Sequence, residues 1–297
     1  MAFFDHDGGS MHYVDRGCGE ALLLIHGLGL SGADWVLQMP ILEKRFRTIV
    51  PDLPGSGRSS APRDYSIEGF AESLWSLLDR LEIKRVNLIG FSLGGAVALE
   101  MALRRPDDIA RLALINSLAT YRLDHWRKWI EAHVPAVLVR VLGMRRVARL
   151  TAMRLFPEPW QRPIRERAAA TIEAVPAGVY LGMGMALQRW SVATELHRVT
   201  CRTLVIAAER DYTPLAEKRC MAERLRADFV VMRGSRHATP FDSIDATNSC
   251  LIALLTDQPL PPGERRCRDS CTHAQILSIA GAAHKAPLGR PMGSVGD

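Results

Sequence analysis

Three residues with the chemistry of a nucleophile, an acid and a base occur along the chain in the order Ser92, Asp211 and His237. Ser92 is the centre of the segment 90–94, which reads Gly-Phe-Ser-Leu-Gly. A serine hydroxyl attacks an acyl carbon efficiently when a base within hydrogen-bond reach accepts its proton and a carboxylate orients that base. The three residues therefore predict nucleophilic acyl transfer, provided that the fold brings them together.

The segment 90–94 joins a predicted strand to a predicted helix. The run 86–90 is short, apolar and rich in strand-forming residues, whereas 93–104 has almost no β-branched residues and predicts a helix. A turn this sharp holds its central residue at positive φ, and the close approach of strand and helix leaves no room for side chains at Gly90 and Gly94. This arrangement exposes the serine hydroxyl beside a helix N-terminus, where unpaired N–H groups favour negative charge.

Strand patterns alternate with helical patterns along most of the chain. The predicted strands are 3–6, 11–15, 21–25, 47–50, 86–90, 111–115, 203–207 and 228–232. This order predicts an α/β fold with a doubly wound, mostly parallel eight-stranded sheet whose N-terminal hairpin is antiparallel. Asp211 and His237 follow the last two strands, so they are expected at the same carboxyl edge of the sheet as Ser92. Glu209 is a competing acid, but it lies two residues closer to its strand.

Two further loops complete a pattern that resembles the α/β-hydrolase superfamily, in its branch of serine esterase-like enzymes with a helical cap. They are 26–29, with the sequence His-Gly-Leu-Gly after the third strand, and 52–59, with the sequence Asp-Leu-Pro-Gly-Ser-Gly-Arg-Ser after the fourth. The resemblance covers about residues 3–257. It implies a catalytic triad of Ser92, Asp211 and His237, an oxyanion hole made by the backbone N–H groups of Leu28 and Leu93, and a supporting loop containing His26, Gly27 and Gly29. It implies no cofactor and no metal.

The resemblance also suggests how the chain is divided. Residues 1–120 and 191–257 are expected to form the core, with a helical cap or lid at 121–190 inserted between strands six and seven. The region 258–297 is rich in Pro, Gly, Ser and Arg and lacks periodicity, which predicts a mostly disordered tail. Cys267, Cys271 and His273 in this tail are interpreted as solvated side chains and not as metal ligands.

The net charge of +6 is concentrated in the segment 121–168, which has eleven Arg or Lys against four Asp or Glu. It contains no nucleic-acid motif, so no nucleic-acid partner is predicted. A weak contact with an anionic surface is compatible with this charge, whereas stable membrane insertion is not predicted, because no run of about eighteen apolar residues occurs. The N-terminus lacks the features of a secretory signal, and a cytoplasmic location is therefore predicted. The oligomeric state is not predicted.

These observations predict a serine hydrolase that cleaves carboxylic esters, lactones or thioesters of small-molecule acyl substrates. A carbon–carbon bond hydrolase of a ring-cleavage pathway is an alternative, although the loop after His237 lacks the tryptophan often found in that group. A slow-turnover ligand receptor with the same triad is another. The serine at position 92, the centre of the turn 90–94 that we call the elbow, disfavours haloalkane dehalogenases and epoxide hydrolases, which use aspartate at this position. Within the cap, Arg145 and Arg146 on a predicted amphipathic helix at 135–156 suggest attraction of anionic acyl substrates.

Overall fold

A computed structural model describes residues 2–6, 9–121 and 126–261 of the chain, with side chains unspecified at 6, 126–133, 135 and 136. The predicted tail beyond 261, including Cys267, Cys271 and His273, lies outside the described residues. The strands are β1 Ala2–His6, β2 Gly9–Arg16, β3 Ala21–Ile25, β4 Arg47–Pro51, β5 Val86–Phe91, β6 Ile109–Ile115, β7 Arg202–Ala208 and β8 Asp228–Met232. The α-helices are α1 Met39–Leu42, α2 Ile67–Arg80, α3 Leu93–Arg104, α4 Trp126–Leu155, α5 Arg162–Ala174, α6 Ala177–Arg189, α7 Leu215–Leu225, α8 Thr239–Asp242 and α9 Ile244–Leu255.

The eight strands form one sheet in the order β1-β2-β4-β3-β5-β6-β7-β8. β1 and β2 pair antiparallel with each other, β2 pairs antiparallel with β4, and the remaining neighbours pair parallel. The predicted mixed sheet with an antiparallel N-terminal hairpin is thus confirmed. All six residues of β5, the central strand that ends at the serine, are buried, because helices cover both faces of the sheet.

Each face of the sheet has its own apolar core. On one face, α2 and α3 bury residues such as Phe70, Leu74 and Leu99 against the strands. On the other face, α9 contributes Leu251 and Leu254. α2 begins at the predicted cap, since the Ser66 hydroxyl accepts a hydrogen bond from the Gly69 N–H at 3.0 Å. These two cores hold the strand ends in fixed positions relative to each other.

Helices α4, α5 and α6 occupy the sequence between β6 and β7. A bridge between Thr120 and Ser191 brings the two ends of this insertion together. The division into a core and a cap at 121–190 remains a prediction about folding units. The helix predicted at 135–156 differs from the structure, because Gly143 has φ 75° and ψ 159° and breaks α4 into two helical parts.

Within the described ranges, no single helix is both long and apolar enough to cross a bilayer. The bent pair formed by Pro159–Ala174 and Ala177–Arg189 meets the criteria of length and composition only when its members are taken together.

Candidate active site

Ser92 sits on a strained turn between β5 and α3. Its backbone has φ 55° and ψ −116°, a conformation that non-glycine residues rarely adopt. A Cβ atom at position 90 would lie 2.4 Å from the Gly94 carbonyl oxygen, and one at position 94 would lie 2.2 Å from the Ile25 carbonyl oxygen. The positive φ and the steric need for both glycines agree with the sequence prediction.

The structure brings Ser92, His237 and Asp211 into one hydrogen-bonded row. Ser92 Oγ lies 2.9 Å from His237 Nε2, and His237 Nδ1 lies 2.8 Å from Asp211 Oδ1. Asp211 follows β7 and His237 follows β8, so three separate loops at the carboxyl edge of the sheet supply the three groups. The competing acid Glu209 instead accepts a hydrogen bond from the Gly234 N–H at 2.8 Å.

The Asp211 carboxylate has a second set of partners that the sequence did not indicate. Thr213 donates its hydroxyl to Oδ2 at 2.8 Å, and the amine of Lys218 on α7 donates to the same oxygen. Lys218 has no exposed surface. Burial by itself raises the pKa of Asp211, but His237 and Lys218 together hold it well below its usual range. Asp211 is therefore a stable anion, while burial lowers the pKa of Lys218 against the opposing pull of Asp211.

Asn116, directly after β6, connects these loops. Its side-chain amide donates to the His237 carbonyl oxygen at 2.7 Å, and its Oδ1 accepts from the Ala208 N–H at 2.7 Å and lies 3.3 Å from the Lys218 amine. Its position at a strand end was a usable signal, since polar residues that follow parallel strands collect at one edge. Lys218 gave no such signal, because a lysine in a helix is ordinarily solvated.

The loop 26–29 approaches Ser92 from the end of β3. His26 is buried, its Nδ1 lies 2.9 Å from the Gly27 carbonyl oxygen, and its Nε2 accepts from the Leu53 N–H at 2.9 Å. These partners require a neutral ring protonated at Nδ1, and burial lowers the pKa of His26 accordingly. His26 thus ties the loop to the segment after β4 and does not touch the row of Ser92, His237 and Asp211.

Leu28 and Leu93 are the residues predicted to donate backbone N–H groups to an oxyanion. Leu28 lies in the loop 26–29, and Leu93 directly follows Ser92. Leu93 is the first residue of α3, where backbone N–H groups have no partner inside the helix. Gly29 has φ 74°, and a Cβ there would lie 3.2 Å from Tyr180 of α6. A Cβ at Gly27 would lie 3.2 Å from the ring of Phe91. Small residues therefore let the loop 26–29 pass between the elbow and α6.

A buried carboxylate braces the neighbouring loop 52–59. Asp52 accepts hydrogen bonds from the N–H groups of Gly32 at 2.7 Å and Arg58 at 2.9 Å, and its Oδ2 lies 2.9 Å from His12 Nδ1. The Ser59 hydroxyl donates to the Asp52 carbonyl oxygen at 2.7 Å. These contacts fix the loops beside the site without supplying a reacting group.

A cavity of about 480 Å³ lies over Ser92 and His237. Its floor comes from the sheet edge and its walls come largely from α4 and α5, whose apolar side chains include Leu138, Val147 and Ile164. Arg145 and Arg146 do not line it; both side chains are exposed, and Arg145 pairs with Glu173 at 3.7 Å. Among the described residues, the arginines that line it are Arg154 and Arg167.

Fold and site together define an α/β enzyme with its polar groups at the carboxyl edge of a mixed sheet. A family model described as alpha/beta hydrolase fold matches residues 20–156. A putative carbamate hydrolase, RutD of Stutzerimonas stutzeri, is 31% identical over 84% of this chain and 97% of its own length. The chain therefore belongs to the α/β-hydrolase fold family.

Solved structures agree with this assignment. An enol-lactonase from Burkholderia xenovorans has 26% identity and a TM-score of 0.78, covering 86% of this chain and 100% of that one. A thermophilic esterase from Thermogutta terrifontis, solved with malate bound, has 27% identity and a TM-score of 0.76, covering 86% and 96%. Since these relatives are hydrolases by name and share the fold, the protein is assigned as a hydrolase.

Proposed function

We propose that the protein is a serine hydrolase that cleaves carboxylic esters through an acyl-enzyme intermediate. The observation that carries the proposal is the hydrogen-bonded row from Ser92 Oγ through His237 to Asp211 Oδ1, with contacts of 2.9 and 2.8 Å, at the floor of a largely apolar cavity. This geometry matches the requirement that the nucleophile, its base and the orienting acid lie within hydrogen-bond reach.

In the proposed reaction, Ser92 Oγ attacks the ester carbonyl carbon and its proton passes to His237 Nε2. The backbone N–H groups of Leu28 and Leu93 stabilise the oxyanion of the tetrahedral intermediate, and loss of one such donor costs about 3–4 kcal/mol in comparable sites. The intermediate collapses when His237 returns the proton to the departing alcohol. A water molecule then attacks the acyl-enzyme and gives its proton to His237. His237 returns that proton to Ser92 Oγ as the bond between Oγ and the acyl carbon breaks, and the carboxylic acid leaves.

Asp211 remains an anion throughout this cycle. The hydrogen bond between His237 Nδ1 and Asp211 Oδ1 also favours the imidazolium form of His237 in each tetrahedral intermediate. The proposed cycle uses only groups of the chain and water, so it requires neither a cofactor nor a metal.

The test compares Ser92→Ala with the wild-type protein on p-nitrophenyl butyrate. We expect the variant to keep its fold and to lose at least about 10³-fold in kcat, as removal of a triad member does in other enzymes. The wild-type protein should also form a one-to-one covalent adduct with a fluorophosphonate, visible by mass spectrometry and located on Ser92. Ser60→Ala, which removes an exposed hydroxyl, is the matched control. Near wild-type turnover by Ser92→Ala would refute the proposal.

Carbamate hydrolysis is a second candidate, favoured by the 31% identity to proteins named putative carbamate hydrolases. The same serine can attack a carbamate carbonyl, but nitrogen lone-pair donation makes that carbon less electrophilic. A comparison of kcat/KM for p-nitrophenyl acetate and p-nitrophenyl carbamate separates the two candidates. If the carbamoyl-enzyme accumulates because its hydrolysis is slow, the site is adapted to esters and not to carbamates.

A further inference from the structure

Arg154, at the end of α4, differs from the other charged residues around the cavity. It lines the cavity, and its guanidinium carbon lies 4.6 Å from the centre of the Tyr212 ring. The Tyr212 ring is in turn 4.2 Å from the ring of His237. The permanent positive charge of Arg154, a side chain that is also exposed to solvent, is therefore separated by one aromatic ring from the base of the proposed triad.

Two other ionisable side chains of the described wall, Arg167 and Asp34, lie close to each other. Arg167 lies 3.8 Å from Asp34 and donates to the Ala33 carbonyl oxygen at 2.9 Å. Asp34 also accepts hydrogen bonds from the N–H of Ser31 at 2.8 Å and from its hydroxyl at 3.1 Å. Arg167 and Asp34 are thus engaged with each other and with neighbouring groups of the protein, although burial raises the pKa of Asp34 against the opposing effect of Arg167.

Arg154 has no carboxylate partner among the residues that the structure describes. Its contact with the Tyr212 ring occupies no oxygen acceptor, so the guanidinium N–H groups are available to a ligand. These donors are arranged in a fork that matches two oxygens of one carboxylate. The other described residues of the wall are largely apolar, so an anion entering the cavity meets aliphatic surface and, in Arg154, a cation that no described carboxylate pairs with.

We propose that Arg154 is a binding subsite for a carboxylate, and that the substrates of this protein are esters that carry a second, anionic carboxylate group. This inference rests on the proposed ester hydrolysis and specifies its substrate class. The aliphatic wall accommodates the carbon chain between the two functional groups, and the guanidinium holds the charged end. The anionic specificity suggested for the cap thus resides in Arg154 and not in Arg145 or Arg146.

The test measures kcat/KM for matched pairs of esters that differ only in the charged end. Mono-p-nitrophenyl succinate, glutarate and adipate are compared with p-nitrophenyl butyrate, valerate and hexanoate, so that both spacer length and charge are scanned. A second pair places the charge on the alcohol side, with 4-acetoxybenzoate against phenyl acetate. We expect the wild-type protein to favour one anionic series over its neutral partner after correction for their uncatalysed rates.

Arg154→Met removes the charge while keeping an aliphatic side chain, and we expect it to lower the ratio of anionic to neutral kcat/KM by about tenfold or more. Arg154→Lys should retain part of that ratio, because it keeps the charge but loses the fork. Arg146→Met is the matched control, since it removes an exposed charge from the same helix and should leave the ratio within about twofold. An equal loss on both series would refute the subsite and assign Arg154 to packing on Tyr212.

A direct binding measurement separates this inference from the proposed function. Glutarate and its neutral diamide are titrated into Ser92→Ala, with and without Arg154→Met, by calorimetry. Tighter binding of glutarate that is lost with Arg154→Met supports the subsite even if the wild-type protein cleaves no ester. Equal binding of both compounds refutes the subsite even if neutral esters are cleaved.

Discussion

Lys218 contacts Oδ2 of Asp211, and Nδ1 of His237 lies 2.8 Å from Oδ1 of the same carboxylate. One buried anion is thus shared between a fixed ammonium and the imidazole of the proposed base. A nearby positive charge weakens the stabilisation that a carboxylate gives to an imidazolium. The Lys218 ammonium thus helps to keep Asp211 ionised, but it also weakens the stabilisation that Asp211 gives to a His237 imidazolium.

This sharing predicts the behaviour of Lys218→Met, which removes the ammonium from a fully buried position. The carboxylate then loses a cationic partner that helps to hold its pKa low, so the pKa of Asp211 should rise and the acid limb of the kcat/KM profile should move to higher pH. The profile is measured with p-nitrophenyl butyrate, and thermal unfolding verifies the fold. Arg224→Met on the exposed side of α7 is the control. A uniform fall in activity with an unmoved profile would assign Lys218 to structure only.

Gly94 in the elbow and Gly184 in α6 differ in the space around them, which predicts opposite outcomes for their substitution by alanine. Gly94→Ala places a Cβ 2.2 Å from the Ile25 carbonyl oxygen, so the backbone around Ser92 must shift. We expect a loss of several kcal/mol in the free energy of unfolding, about the range of severe core substitutions, together with loss of esterase activity. Gly184→Ala in α6 meets no atom within 4 Å and should stabilise the protein by about 0.5–1 kcal/mol. Chemical denaturation measures both variants, and equal effects would contradict the steric argument.

The titration of Asp242 is expected to make the free energy of unfolding depend on pH. Burial raises its pKa from 3.8 to about 6 against hydrogen bonds from Ser235 and the Arg236 N–H. Between these pH values the folded protein retains a proton that the unfolded chain has released, so this group's contribution to stability declines as pH rises from about 4 to 6. The change should amount to about 1–3 kcal/mol. Asp242→Asn cannot titrate, and urea unfolding of both proteins should show a difference that changes in this window and is constant above it.

The sequence predicted the sheet and the row of Ser92, Asp211 and His237 because both depend on local patterns. Buried parallel strands appear as continuous apolar runs, and the residues that follow them must meet at one edge. Lys218 was not predictable in this way, because its burial depends on how α7 packs against β7, which no local pattern records.

The segment 135–156 shows where a prediction from helical periodicity fails. A helical repeat read through 135–156 assumes one continuous helix, but Gly143 breaks α4 and changes the phase of the second part. Arg145, Arg146 and Arg154 are all exposed to solvent, but of these three only Arg154 lines the cavity.

Tyr212 gives a last prediction, because its ring lies 4.2 Å from the His237 ring at an interplanar angle of 32°. The stacked ring restricts the imidazole to the orientation in which Nε2 faces Ser92, so Tyr212→Ala should lower kcat for neutral esters by about 3- to 10-fold, as the loss of an aromatic pair of about 0.5–1.5 kcal/mol implies. Tyr212→Phe keeps the ring and should retain kcat within about twofold. If Tyr212→Phe were as impaired as Tyr212→Ala, the hydroxyl and not the stacking would support His237.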